Sequence, residues 1–404
     1  MTELHAPEKK PTDAPASSLR DWRIDFFRGL AIVFILWNHS AENVLSWFTT
    51  RHYGLSDSAE LFVFLSGYAM ATMFLAKFLV RPVTALPYAV MRAFTLYIHH
   101  ITAFIVIATL ASTYRGWAGS SVMERDLFIR PFFVATETVM PKLATLAYLP
   151  PLLDILPLYI LLTLLIGVLF FLFRERWIYY VAFAIPVWAL AWFTGLNFSS
   201  YPDTRLWSLN PLSWQAVFLA GFCVCLMRDE PWLRRVSASP VTLAVSVAIL
   251  VVGFIGAAPW AQLGLSDWRV SWLPGWFDKM YASPVRLIHF LAMAHVATAL
   301  IKKDNPLRDT IFARSMILIG RRSLPLFVIC TVFAAASYAV FEWFGRSYLV
   351  QILYEGGMAL VLVGLAYVAN TVGEATRGKP KSAAARAPVQ SGAADAPELA
   401  ARHA

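Results

Sequence analysis

Long apolar runs alternate with short polar connections along most of the chain. A helix that spans a membrane needs about 20 predominantly apolar residues, and ten runs approach or exceed that length. They cover roughly residues 26–48, 59–80, 89–113, 153–173, 177–195, 209–227, 239–258, 284–301, 323–344 and 349–371. The pattern predicts an all-α polytopic integral membrane protein with about ten transmembrane helices.

The two ends of the chain depart from this pattern. Residues 1–20 and 374–404 are low-complexity stretches rich in Ala, Pro, Lys and Glu, and we expect them to be disordered tails. Residues 21–373 would then form a single membrane domain. The first 20 residues lack the apolar segment of a cleavable signal peptide, so we expect the first span to act as the insertion signal.

Basic residues test the number of spans and set their orientation, because cytoplasmic loops carry an excess of Lys and Arg. If the N-terminus is cytoplasmic, the segments on that side contain 23 Lys and Arg residues and the opposite segments contain 9. Arg28 and Arg286 lie within spans. This asymmetry predicts ten spans with both termini, and therefore both tails, in the cytoplasm.

Composition supports the membrane class. Of the 404 residues, 58% are hydrophobic and only 15% are charged, which excludes a soluble globular protein. In a membrane protein, a net charge of +9 reflects the orientation of the basic loops first, and no basic stretch resembles a nucleic-acid-binding arm. We therefore expect a lipid bilayer, and no nucleic acid, as a partner. The three cysteines lie in apolar runs, and no Cys/His set has the spacing of a metal site.

The first span carries the densest set of polar residues: Asp25, Arg28, His39, Glu42 and Asn43. A charge near the bilayer centre costs at least about 2.5–3.5 kcal/mol, so each such residue is a candidate for function. Arg28 and His39 are eleven positions apart, which places them on one helical face about 16 Å apart along the axis. The alternatives are an Arg28 side chain that reaches the headgroups and a His39 that hydrogen-bonds a neighbouring helix.

The chemistry of this pair suggests a reaction. An imidazole, with an ordinary pKa of about 6.5, suits proton transfer near neutral pH. A guanidinium group suits a phosphate or a carboxylate. Together they predict a hydroxyl nucleophile activated near His39 and an anionic donor bound near Arg28.

The sequence around the pair resembles a known family. Arg28-x10-His39 followed by ELFVFLSG at 60–67 resembles the start of membrane acyltransferases of the acyltransferase-3 superfamily. More narrowly, five stretches resemble OpgC-type succinyltransferases, which modify osmoregulated periplasmic glucans. These stretches are 23–68, DILPLYILL at 154–162, LNPLSWQAVF at 209–218, SPVRLIHFLAMAH at 283–295 and GRRSLPLFVIC at 320–330.

The resemblance implies a bacterial inner-membrane enzyme with no bound cofactor, which uses an acyl-CoA, succinyl-CoA foremost, to acylate a glucan. His39 would be the general base. The donor would bind Arg28 and Asp25, with Arg321 and Arg322 at the cytoplasmic entry to the ninth span, where ordinary cytoplasmic basic residues are the alternative explanation. An acetyl donor, another surface polysaccharide, a covalent acyl-enzyme and the oligomeric state are left open.

Two carboxylates lie at the predicted outer start of the second span. Asp57 and Glu60 are one helical turn apart. One of them could orient His39 by accepting its ring N–H, as the partner of a general base does. The alternative is a solvated helix N-terminus, where acidic residues are favourable.

Further polar residues near the predicted outer surface are candidates for acceptor binding: Asp154, Asn210, Trp214, Gln215, Arg286 and His289. Trp214 beside Gln215 offers an apolar plate next to an amide, a pairing that suits a sugar. Arg286 and His289 are one turn apart, and Arg286 could hold an anionic or sugar ligand. Interfacial anchoring and snorkelling explain these residues almost as well.

A transporter or exporter of a polar solute is the alternative function, because buried ionisable residues also mark transport pathways. The chain shows no internal repeat and no pair of Gly/Pro-broken helices, which are typical of secondary transporters. An arginine and a histidine on one face favour an enzyme whose donor and acceptor arrive from opposite sides.

Overall fold

The computed structural model describes residues 21–202, 204–261, 264–265 and 275–376. Within these ranges the chain forms fifteen α-helices and one short β-hairpin. The predicted tails lie outside the described residues, except for 374–376, and so does part of the connection 259–283. The helices are α1 (Trp22–His39), α2 (Ser58–Phe78), α3 (Ala85–Ala118), α4 (Val122–Asp126), α5 (Arg130–Val134), α6 (Thr136–Ala144), α7 (Ile155–Phe173), α8 (Trp177–Thr194), α9 (Pro211–Leu226), α10 (Pro231–Ala238), α11 (Pro240–Ala257), α12 (Pro284–Leu300), α13 (Ile311–Arg321), α14 (Ser323–Phe344) and α15 (Tyr348–Thr376).

Ten of these helices coincide with the ten predicted apolar runs: α1, α2, α3, α7, α8, α9, α11, α12, α14 and α15. By length and composition, seven helices in the described ranges can cross a membrane, or eight if α9 and α10, bent by 106°, form one span. Helix α12 is shorter, and α1 carries three charged residues near its start. The protein is therefore a helical, multi-pass membrane protein, and the count of ten stays a prediction.

The first predicted span ends earlier in the structure than in the sequence-based prediction. Helix α1 stops at His39, and the chain continues as a 3₁₀-helix at Val44–Phe48. Asn43 caps that 3₁₀-helix by accepting from the Ser46 amide at 3.0 Å, so it lies outside α1 although the first predicted span included it. A polar side chain that offers the backbone a local hydrogen bond favours such a break.

Close backbone contacts position α1 and α2. Gly29 of α1 faces the main chain of Met316 and Gly320 in α13, and Gly67 of α2 faces the main chain of α9 near Phe218. A side chain at either glycine would collide with a carbonyl group. Small residues at such contacts let helices approach closely and maximise packing. The two helices that carry the predicted site are therefore held against rigid neighbours.

The end of the bundle that contains His39 is covered by short elements. Helices α4, α5 and α6 connect α3 to α7 there and share a small apolar core with α3, which includes Phe104 and Tyr148. The hairpin of β1 (Ser199–Ser200) and β2 (Arg205–Leu206) follows α8. The main core lies between α1, α2, α7, α9 and α14. The short connecting elements therefore lie at the His39 end of the bundle, next to the apolar core formed by the long helices.

Candidate active site

His39 is the last residue of α1, and its ring is held by its own helix. Nδ1 lies 2.9 Å from the carbonyl oxygen of Ile35. Because a carbonyl oxygen only accepts hydrogen bonds, Nδ1 carries the proton of the neutral ring. The Nε2 lone pair then remains available, and no described residue hydrogen-bonds to it. The ring is therefore arranged to accept a proton at Nε2.

Two cavities of unlike character meet at this ring. The apolar cavity, about 160 Å³, is lined mostly by hydrophobic side chains, among them Ile35, Ile155 and Phe327. The broad cavity is open, with a volume of about 1140 Å³. Its aromatic lining consists of Trp37, Trp47, Trp207, Tyr338 and Tyr348, and its charged lining of Glu42, Arg51, Asp154, Arg205 and Arg346. Both cavities contain His39 and Asp154 in their walls.

A third cavity, the cationic cavity, also reaches His39 and has a volume of about 350 Å³. Its charged lining consists of Arg51, Asp57, Lys279 and Arg286. Its neutral polar lining includes Asn38, Ser56 and Ser58. His39 is thus a junction of an apolar, an aromatic and a charged compartment.

Ion pairs organise the wall of the cationic cavity. Asp57 caps α2, accepting from the Ala59 amide at 2.7 Å, and pairs with Lys279 Nζ at 2.8 Å and with Arg286 Nη2 at 3.5 Å. Glu60, fully buried, contacts Arg286 Nη2 at 2.6 Å. Burial would raise the pKa of Asp57, but the Lys279 and Arg286 charges hold that pKa well below its usual range. Asp57 is therefore ionised at neutral pH.

These pairings correct the orienting role proposed for the two carboxylates. Neither Asp57 nor Glu60 hydrogen-bonds His39, because Lys279 and Arg286 occupy them. The main chain of Ile35 orients the ring instead. Asp57 and Glu60 fix the position of the cations beside His39. No group of three or more His, Cys, Asp and Glu side chains in the described ranges could hold a metal ion.

Arg28 lines a fourth cavity on the far side of the bundle core, called here the arginine cavity, with a volume of about 310 Å³. Arg28 Nη2 donates to Ser323 Oγ at 2.5 Å. A second cation, Arg92 of α3, lies in the same wall, as does Tyr88. The other predicted donor residues are not in this wall. Asp25 is buried against α13, 4.0 Å from the half-exposed Arg321. Arg322 lies at the start of α14 beside Gly373.

A single aromatic layer separates the arginine cavity from the apolar cavity. Phe327 lines both. It stacks on Phe62 with ring centroids 5.7 Å apart and planes 19° apart, and Phe62 in turn contacts Tyr159 edge-on. The Arg28 and His39 compartments are therefore adjacent, with aromatic side chains between them.

A comparison with protein families decides the classification. The family described as OpgC protein matches residues 20–373. The chain belongs to the OpgC family. No curated protein and no solved structure matches it. Membership of the OpgC family, with the apolar helices of the fold, indicates a multi-pass membrane acyltransferase that acts on glucans.

As an OpgC family member, the chain needs a cavity for a glucan, and only part of the predicted acceptor set lies in one. Asp154 lines the broad cavity and accepts from Ser208 Oγ at 2.5 Å. Asn210, Trp214 and Gln215 are buried, donate to main-chain carbonyls and do not line the broad cavity. Acceptor binding by these three residues stays a prediction. Trp214 Nε1 donates to the Lys279 carbonyl at 3.0 Å and thereby anchors that lysine.

The two remaining acceptor candidates are also engaged within the protein. Arg286 is paired with both carboxylates in the wall of the cationic cavity. His289 is buried, with Nδ1 2.8 Å from Ser56 Oγ. Residues that the sequence-based prediction missed line the broad cavity instead: Trp37, Trp47, Arg51, Trp207 and Arg205. The cluster of Asn, Trp, Arg and His between residues 43 and 52, shortly after His39, was a signal for Trp47 and Arg51.

Proposed function

We propose that this protein is an O-acyltransferase of the bacterial inner membrane that moves a succinyl group from succinyl-CoA to a hydroxyl of a periplasmic glucan. The observation that carries the proposal is the position of His39, at the junction of three cavities with Nε2 free. Acyl transfer requires such a junction, because a thioester, a hydroxyl and a base must meet within hydrogen-bond reach.

The proposed topology has ten spans with both termini in the cytoplasm. Eight are the seven long helices and the bent α9–α10 pair, and α1 and α12 are the other two. Helix α1 has 18 residues, about 27 Å at 1.5 Å per residue, close to the hydrocarbon thickness of about 30 Å. The 23-to-9 asymmetry of basic residues supports a cytoplasmic arginine cavity and a periplasmic broad cavity.

The donor would enter from the cytoplasm. Arg28 and Arg92 present two guanidinium groups in one cavity, a combination that suits the phosphates of coenzyme A. The thioester lies at the end of a long flexible arm, which would pass Phe327 into the apolar cavity. Displacement of the stacked Phe62 and Phe327 rings would connect the two compartments for this arm.

The glucan would occupy the broad cavity. Aromatic rings supply apolar plates for sugar faces, and carboxylates and guanidinium groups supply partners for hydroxyls. A glucan hydroxyl beside His39 donates its proton to Nε2 as its oxygen attacks the thioester carbonyl. The C–S bond then breaks, and the imidazolium returns the proton to the departing thiolate, which yields the ester and free coenzyme A.

Labelled succinyl-CoA and a neutral β-glucan, given to the purified full-length protein in detergent, test this proposal. Label that appears in the glucan supports acyl transfer. In a parallel experiment with proteoliposomes, glucan that crosses the membrane while remaining unlabelled would overturn the proposal and establish a transporter.

A further inference from the structure

The charges around the cationic cavity do not cancel. Arg51, Lys279 and Arg286 line it, together with the single carboxylate of Asp57. Glu60 lies behind Arg286 and is fully buried. With both carboxylates counted, the cluster retains one positive charge. A cavity of this kind favours a small anionic group over a neutral one.

Two of the three cations in the wall of the cationic cavity, Lys279 and Arg51, retain hydrogen-bond donors. An ammonium group has three N–H donors and a guanidinium group has five. Lys279 gives one donor to Asp57 at 2.8 Å, and Arg51 gives one to the Asn38 carbonyl at 2.9 Å. Arg286, in contrast, is committed to both carboxylates and is only 11% exposed. Lys279 and Arg51 are therefore the groups that can bind an additional anion.

Lys279 places a positive charge in the wall of both cavities that would hold the acyl group. Lys279 lines both the apolar cavity, which receives the thioester in the proposed function, and the cationic cavity. His39 lines both as well. An acyl group whose carbonyl carbon lies beside His39 can thus extend its far end from one cavity into the other. The hydrogen bond from the Trp214 side chain, whose Nε1 donates to the Lys279 carbonyl, holds the lysine in this place.

We propose that the cationic cavity binds the free carboxylate of a dicarboxylic acyl group, and that Lys279 and Arg51 select such donors over uncharged ones. The inference rests on the acyl transfer proposed above and adds the residues that set acyl specificity. Asp57 would keep its contact with Arg286 when Lys279 turns towards the carboxylate. The added carboxylate would also cancel the one excess positive charge of the whole cluster. Ser56 and Ser58 supply further polar groups to the same cavity.

Succinyl-CoA and butyryl-CoA provide a matched pair of donors for the test. Both acyl chains contain four carbons, and the second has a methyl group where the first has a carboxylate. The measured quantity is the ratio of kcat/KM for succinyl over butyryl transfer to a neutral β-glucan by the purified full-length protein. A neutral glucan excludes an acceptor anion as the ligand of the cavity.

Lys279→Met should lower this ratio about ten- to hundredfold, the usual effect of losing a charge-assisted hydrogen bond. Arg51→Met should lower it in the same direction, and Lys279→Arg should retain most of it because the charge remains. The control is Lys302→Met, the same substitution on an exposed loop after α12. General damage to His39 or to the fold affects both donors alike and cancels in the ratio.

A ratio within twofold of the parent in both Lys279→Met and Arg51→Met would overturn the inference. Equal losses with both donors would also overturn it, because Lys279 would then act only through Asp57. Failure of the parent protein to transfer either acyl group is a separate result, which would overturn the proposed function itself.

Discussion

The two ends of α1 differ in packing, and this difference matches the proposed binding of the donor at the Arg28 end and acyl transfer at the His39 end. At the Arg28 end, Gly29 packs directly on the main chain of α13 and Arg28 is bonded to Ser323 across a compact cavity. At the His39 end, the helix stops, loops replace packed helices, and three cavities open around one ring. A rigid end holds a fixed anionic group well, whereas an open end admits substrates of several shapes.

Phe327 lies between these two ends and separates the arginine cavity from the apolar cavity. It is buried and lines cavities on both sides, so the two compartments share a wall but no open passage in this structure. A donor arm that displaces one ring would open the passage only while it is bound.

The largest expected effect comes from removing the base at the open end. His39→Gln retains a side chain that can hydrogen-bond but cannot accept a proton at neutral pH. Transfer of labelled acyl groups to glucan should fall about 10²- to 10⁴-fold, the usual contribution of a positioned acid–base group.

His99→Gln is the matched control for that change. His99 of α3 makes the same bond to its own helix, with Nδ1 2.7 Å from the Thr95 carbonyl, and lines none of the four cavities described above. It should transfer at nearly the parent rate. Activity of His39→Gln within a few-fold of the parent would return His39 to a structural role.

The second-largest effect is expected on donor binding at the Arg28 end of α1. Arg28→Ala should raise the KM for acyl-CoA about ten- to hundredfold, because a charge-assisted hydrogen bond is lost, and should change the KM for glucan little. Arg321→Ala is the comparison, since Arg321 is half-exposed and does not line the arginine cavity. If Arg321→Ala raised the donor KM as much as Arg28→Ala, the donor would bind outside this cavity.

Packing at the rigid end predicts a loss of stability. Gly29→Ala places a methyl group against the Met316 carbonyl, and such overpacking costs about 1–3 kcal/mol. The thermal unfolding midpoint in detergent should fall. Gly364→Ala in α15, where a Cβ meets nothing within 4 Å, should leave the midpoint unchanged or raise it slightly. Equal midpoints for the two variants would contradict the close contact of α1 with α13.

The smallest expected effect is a pH dependence at the open end. The pKa of Asp57 is lowered in the folded protein by Lys279 and Arg286 against the opposing effect of burial. Acidification below about pH 4, the ordinary Asp value, therefore protonates the unfolded state first and removes stability that is present at higher pH. The unfolding midpoint of the parent should decline on that acid side.

Asp57→Asn isolates this contribution, because Asn keeps the capping interaction but does not titrate. Its midpoint should decline less steeply below pH 4 than that of the parent. Asp309→Asn, at an exposed carboxylate of the loop before α13, is the control. Parallel pH profiles for the parent and Asp57→Asn would show that the ion pairs do not stabilise the folded state.

The helices were predictable from the sequence, and the composition of the site was predictable only in part. Apolar runs of membrane length identify helices directly, because each spanning segment must satisfy its own backbone hydrogen bonds. The end of α1 at His39 was missed, since Trp47 and Phe48 continue the apolar run after the helix has stopped. Asn210, Trp214 and Gln215 look like a sugar site in sequence, but all three are buried, and Trp214 donates to the Lys279 carbonyl.

The sequence by itself determined the membrane class, the family resemblance, and the placement of Arg28 and His39 on one helix face, because these depend on local composition and helical periodicity. Only the tertiary structure decided which groups surround them. Ser323 meets Arg28 across 295 positions, and Lys279 meets Asp57 across 222. Cavities and ion pairs arise from contacts between segments that are far apart in the sequence. A local sequence pattern does not show which distant segments lie close together in space.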